Sequence, residues 1–107
     1  MNAKLLMGMG MALALGACAS MPQPNAALED ARAAVQTAEA NPNVQRYSAL
    51  DLEGAKKDLA IADDANVHHR DAEVSQPAYL ALQNARLAQA HAAAKADDAR
   101  VAAGQSE

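Results

Sequence analysis

Thirty of the 107 residues are alanine, Phe and Trp are absent, and Tyr47 and Tyr79 are the only aromatic residues. This imbalance constrains the fold more than any motif does. Alanine is the strongest helix former, and Leu, Gln, Glu, Lys and Arg fill most other positions from Asn25 onward. A chain with so few bulky side chains cannot fill a thick core, but alanine faces let helices approach closely. The length allows one small domain at most.

The periodicity predicts three helices, at about 26–40, 49–70 and 76–103. Asn25 suits the N-cap of the first, with Glu29 and Asp30 at the positive end of its dipole. Leu28, Ala31, Val35 and Ala38 share one face. Asn41-Pro42-Asn43 reads as a break. Ser48, with Asp51 three residues later, is a weak capping box for the second helix. That helix carries one stripe of Leu52, Ala55, Leu59 and Ala62. Leu50, Ile61 and Ala65 lie roughly opposite, which predicts a central helix with neighbours on both sides. Leu80, Leu87, Ala94 and Val101 recur every seven residues in the third helix, with Gln83 and Ala90 on the same side, an imperfect coiled-coil seam. Proline is tolerated in a first turn, so this helix starts at Ser75-Gln76-Pro77, or near Asp71 with a bend at Pro77. Short connections favour antiparallel neighbours. The expected fold class is all-α: a small antiparallel three-helix arrangement, a main hairpin plus a shorter first helix. So thin a core predicts a marginal or elongated monomer, helped by self-association or by a partner covering the stripe from Leu80 to Val101.

Residues 1–17 have a different character. Lys4 gives a positive start, and Leu5 to Leu15 is an uncharged apolar run. Eleven helical residues span only ~16 Å against a ~30 Å hydrocarbon core, so the run suits an export signal rather than a membrane span. Leu15-Gly16-Ala17-Cys18 resembles the lipobox of bacterial lipoproteins. The resemblance implies cleavage between Ala17 and Cys18 and fatty acylation (palmitate or similar) at Cys18. One acyl chain binds a bilayer marginally, whereas two or three anchor stably. Ala19 stands where an Asp commonly marks inner-membrane retention in Gram-negative lipoproteins, so the resemblance points to the outer membrane. Cys18 with residues 19–25, which hold two prolines and no periodicity, reads as the lipidated residue and its tether. Residues 26–107 form the alanine-rich helical domain. Without Lys4 the mature chain has eight basic and thirteen acidic side chains, net −5, which disfavours lying flat on anionic lipid.

The same figures argue against other classes. A lone cysteine excludes an internal disulfide. Nucleic-acid binding usually requires a basic face or stacking aromatics. An enzyme needs a walled pocket, and no nucleophile elbow or glycine-rich phosphate loop occurs. His68 and His69 are adjacent, so their rings point about 100° apart and cannot share one ion. Asp64 and His68 could share a face, with Asp71 and Glu73 nearby, but two ligands fall short of a zinc site. Asp63-Asp64 and Asp97-Asp98 lack a calcium-loop pattern and read as solvated faces. His91 is expected to be a half-buried packing residue at the edge of the third-helix stripe. Tyr47 is expected to anchor against a neighbouring helix. Glu29–Arg32, Glu53–Lys57 and Asp97–Arg100 are spaced as helix-surface ion pairs. No catalytic residue, cofactor or metal is expected.

Ala31-Arg32-Ala33-Ala34, Tyr47, Leu52-Glu53-Gly54-Ala55-Lys56-Lys57-Asp58-Leu59-Ala60 and Tyr79-Leu80-Ala81-Leu82-Gln83-Asn84-Ala85-Arg86 together resemble the DUF4398 domain of bacterial envelope proteins. The likeness covers about Leu28 to Ala103. It implies an alanine-rich helical domain behind a lipoprotein signal, and in some members a C-terminal OmpA-like domain that binds peptidoglycan. Relatives often have Pro soon after the tyrosine, where this chain has Ser48-Ala49-Leu50. No OmpA-like domain is expected here, and hence no direct peptidoglycan-binding motif. The expected function is that of an outer-membrane-anchored periplasmic lipoprotein, a structural or protein-interaction module. The alternative is a tetratricopeptide-like helical module binding a periplasmic peptide or protein, which the Tyr79–Leu82 stretch invites weakly. Expected partners are the membrane, through the lipid, and a second copy or another envelope protein, with no nucleic acid.

Overall fold

A computed structural model describes residues 25–105. The leader, the Ala17–Cys18 cleavage position and lipidation at Cys18 lie outside the described residues. The order of elements is α1 (Ala26–Ala40), α2 (Pro42–Tyr47), α3 (Ala49–Val67), a 3₁₀ turn (Asp71–Glu73) and α4 (Ser75–Gln105). No strand occurs among the described residues.

The first helix forms where its periodicity placed it. Asn25 Oδ1 accepts from the Leu28 N–H at 3.0 Å, and Leu28, Ala31, Val35 and Ala38 are the buried face. The expected break at Asn41-Pro42-Asn43 ends α1 and at once starts α2. The Asn41 N–H closes α1 on the Ala38 carbonyl, while its side chain accepts from the Asn43 N–H, and Pro42 takes the first helical position. Proline lacks only an N–H that a first turn does not use, so one asparagine joins two helices with no loop between them.

Ser48 ends α2 and opens α3, but not as a capping residue. Its side chain makes no cap hydrogen bond. The buried Oγ donates to the Ala88 carbonyl at 2.6 Å and also contacts the Val44 carbonyl at 3.4 Å, tying the α2–α3 junction to α4.

The second long helix stops at Val67, three residues short of its expected end at 70. His69 lies in the left-handed region at φ 57°. The Arg70 N–H returns to the Ala65 carbonyl at 2.8 Å and the His69 N–H to Asn66 at 3.2 Å. This is a Schellman termination with histidine in the position that glycine usually takes. The chain then turns through Asp71–Glu73 and enters α4 at Ser75, with Pro77 in the first turn and no earlier start at Asp71.

Two buried clusters fix the topology. One joins Leu28 and Ala31 of α1 to Ala62 and Ala65 of α3 and to Val74, Ala78 and Ala81. The other joins Val35 and Ala38, Val44, Leu52 and Ala55, and Ala85, Ala88 and Ala92. Thus α1 and α3 run antiparallel, as do α3 and α4, with α3 and α4 the principal hairpin. The central helix is α4, which packs on α1, α2 and α3. The middle helix is expected to hold that place, but of its second set Leu50 and Ile61 are exposed, and Ala65 is buried in the same cluster as Ala62 rather than opposite it. Polar ties reinforce the packing. Arg32 pairs with Glu29 at 2.5 Å and also with Asp63 across to α3, and Lys56 lies 3.8 Å from Glu39. Glu53 faces Lys56 at 3.7 Å rather than the expected Lys57. At three residues' spacing, Lys56 can serve both helices.

Candidate interaction surface

The inner face of α4 is Ala78, Ala81, Ala85, Ala88 and Ala92, every one fully buried. Leu80, Leu87, Ala94 and Val101 lie roughly 110–170° round the same helix from the middle of that face, at 100° per residue. They face away from the bundle, with Leu80, Leu87 and Val101 exposed to 39, 44 and 57%. The heptad seam read from the sequence is therefore real as a line but is not part of the core. Small side chains on the inner face suit a helix packed against several neighbours, because helix spacing shrinks with side-chain size, and the α4 alanines share buried clusters with α1, α2 and α3.

The two flanks of this stripe differ. On the α3 side, Asn84 Nδ2 donates to Asp58 at 2.8 Å, and His91 Nδ1 lies 2.8 Å from the Asp51 carboxylate. His91 is exposed and forms this polar bridge between α3 and α4, rather than packing half-buried at the stripe's edge. No local pattern marks the bridge, because its partners stand 40 residues apart. On the other flank are Arg86 and Asp97. Asp97 pairs with Arg100, whereas Arg86 has no ion-pair partner among the described residues.

An open groove of about 680 Å³ runs between α3 and the start of α4. Its apolar part is Ile61, Ala65, Pro77 and Leu80, and Lys57, Asp64 and Arg70 are among its charged rim. Leu80 belongs to both groove and stripe. Past Ala92, α4 runs on alongside α2, whose Arg46 and Tyr47 face Ala96 and Ala99 across a shallow cleft. Tyr47 is half-buried there, as expected of an anchor, with the Arg46 guanidinium 5.9 Å from its ring centre.

The histidine–carboxylate group at the α3 terminus is used locally. His68 Nδ1 lies 2.8 Å from the Asp64 carbonyl and 3.3 Å from its carboxylate, and Arg70 pairs with the same carboxylate at 2.6 Å. Among the described residues no three His, Cys, Asp or Glu side chains are placed to hold a metal ion. No helix among them is long and apolar enough to cross a membrane.

Residues 26–103 match the family model described as a domain of unknown function, DUF4398. No curated protein and no solved structure matches the chain.

Proposed function

The chain belongs to the DUF4398 family, and from that premise we propose that it is a lipid-anchored, periplasm-facing interaction module of the bacterial outer membrane. The observation that carries the proposal is Leu15-Gly16-Ala17-Cys18 directly behind a short apolar run. Small residues before the cysteine let an extended chain enter a signal peptidase, and the thiol supplies the nucleophile for acylation. Several acyl chains, at about 0.8 kcal/mol per buried methylene, then hold the protein without a membrane span of its own. The domain acts by placement rather than by chemistry: lipid fixes one end, and α4 presents its leucine stripe. The tetratricopeptide-like alternative has less support, because α3 and α4 form one hairpin covered by α1 rather than a stack of helix pairs.

Membrane fractionation of wild type and Cys18→Ala tests the anchor. Wild type is expected in the outer-membrane fraction, with acyl chains on Cys18 by mass spectrometry, and the variant is expected to leave that fraction. A variant as firmly bound as wild type, or a bare thiol on the native product, overturns the reading.

A further inference from the structure

We propose that two copies of the chain pair antiparallel along α4, each laying the far end of its α4 in the open α3–α4 groove of the other. The proposal names the partner of the interaction module above and rests on that reading for its cellular setting, while the contact itself follows from the helical domain.

Register comes first. The stripe repeats every seven residues, so a two-fold axis midway between Leu87 and Ala94 maps it onto itself. Leu87 then meets Ala94 of the second copy, and Leu80 meets Val101 of the second copy. Each large side chain faces a smaller one, which lets the helices interdigitate. The contact from 80 to 101 is ~33 Å long at ~1.5 Å per residue. Such an interface is isologous and closes on itself, so it buries the stripe in a dimer without propagating.

The groove supplies the second argument. It lies at the Leu80 end of α4, lined by Ile61, Ala65 and Pro77, and is open to solvent. At the opposite end, Ala94 and Val101 lie beyond the last buried residue of α4, Ala92, and are exposed. In the antiparallel register, Val101 of one copy enters the groove of the other beside Ile61 and Leu80.

Charge selects the direction. In an antiparallel two-fold pair, residues on the same flank face one another. Arg86 and Asp97 share a flank and lie close to the same midpoint, so Arg86 meets Asp97 of the second copy. A parallel pair would instead set opposite flanks against each other at the same level, bringing Arg86 towards His91 of the second copy and away from Asp97.

The test uses the full chain purified from membranes in mild detergent. Oxidation of Leu87→Cys/Ala94→Cys is expected to give a covalent dimer whose peptide map shows an 87-to-94 bond. Each single variant is expected to give no covalent crosslink, because its thiols lie ~10 Å apart along the paired helices. In the double-cysteine background, Arg86→Glu is expected to lower the dimer yield about five-fold, and adding Asp97→Arg to restore it. All these positions are exposed, so circular dichroism should remain that of wild type. Three results would overturn the proposal: no crosslink in the double variant, 87-to-87 or 94-to-94 bonds in the singles, or a charge swap that fails to rescue. Thiol labelling of Cys18 in the wild type reads the anchor separately, since an acylated sulfur does not react. A free Cys18 with an intact 87-to-94 crosslink therefore breaks the anchor and not the dimer.

Discussion

The two faces of α4 are made of different residues for different reasons. Alanines at 78, 81, 85, 88 and 92 face inward and are wholly buried, while the leucines at 80 and 87 face outward and stay about two-fifths exposed. Burial of large apolar groups, taken alone, would place the leucines inside. It does not: the inner face of α4 carries methyl groups alone, and all five are fully buried against α1, α2 and α3. The larger apolar residues of the core come from its partners instead: Leu28 and Val35 from α1, Val44 from α2, Leu52 from α3. One helix supplies a smooth wall and its neighbours supply the knobs. In an alanine-rich helix, therefore, the line of largest residues need not mark the core.

The sharpest way to break this comparison is to exchange size between the faces. Ala85→Leu puts three extra carbons into a position with no exposure. Overpacking of this kind costs about 1–3 kcal/mol. For a domain of this size that is a fall in melting temperature of at least ~4 °C per kcal/mol, read by circular dichroism. Leu87→Ala on the outer face should move the melting temperature of the monomeric chain by much less, since surface changes usually stay within ~0.5 kcal/mol. If Leu87→Ala is the more damaging of the two in a monomer, the assignment of faces is wrong.

Ser48 sharpens the comparison at the joint between the partner helices and the alanine wall. As a capping residue it could be replaced by glycine at a cost of only a few tenths of a kcal/mol. As the donor to the Ala88 carbonyl it should cost ~1 kcal/mol when lost, with the carbonyl still held by its own helix. Ser48→Gly separates the two roles: chemical denaturation should give a loss near the larger figure. A loss of a few tenths would return Ser48 to the capping role.

What was legible in the sequence follows the range of each interaction. The Asn25 cap, the α1 face, the Glu29–Arg32 and Asp97–Arg100 pairs and the Leu52–Ala62 stripe are encoded within one or two helical turns, and the structure has each of them. The inner face of α4 was harder to see. Alanine has weak hydrophobic contrast, and the leucines printed a clearer seven-residue signal on the opposite side. Three further features are set by distant contacts or by backbone geometry: the Ser48–Ala88 bond, the Asp51–His91 bridge and the left-handed His69. Asn41-Pro42-Asn43 was correctly read as an interruption, but Pro42 also fits a first helical turn, and only the packing of Val44 against α3 and α4 shows that a helix begins there. Of the candidate surface, the stripe itself could be read in advance. The groove could not, because it depends on where α1 leaves the α3–α4 hairpin uncovered.

Gly54 asks whether every small residue in this hairpin is small for the sake of packing. It sits in the middle of α3, half-buried and directed towards α4, and at first sight belongs with the alanine wall. Its surroundings say otherwise. A Cβ built there would have Asn84 Nδ2 as its nearest neighbour, at 4.0 Å, which is ordinary van der Waals contact. Its φ is not positive, so no backbone constraint calls for glycine. Glycine inside a helix is less favourable than alanine by ~0.5–1 kcal/mol, largely through the extra freedom of the unfolded chain. Gly54→Ala should therefore stabilise the domain by about half a kcal/mol or more, seen as a higher midpoint in urea with an unchanged slope. A destabilised Gly54→Ala would mean that α3 and α4 approach more closely at this level than the Asn84 contact allows, and the small-residue wall would then have two sides rather than one.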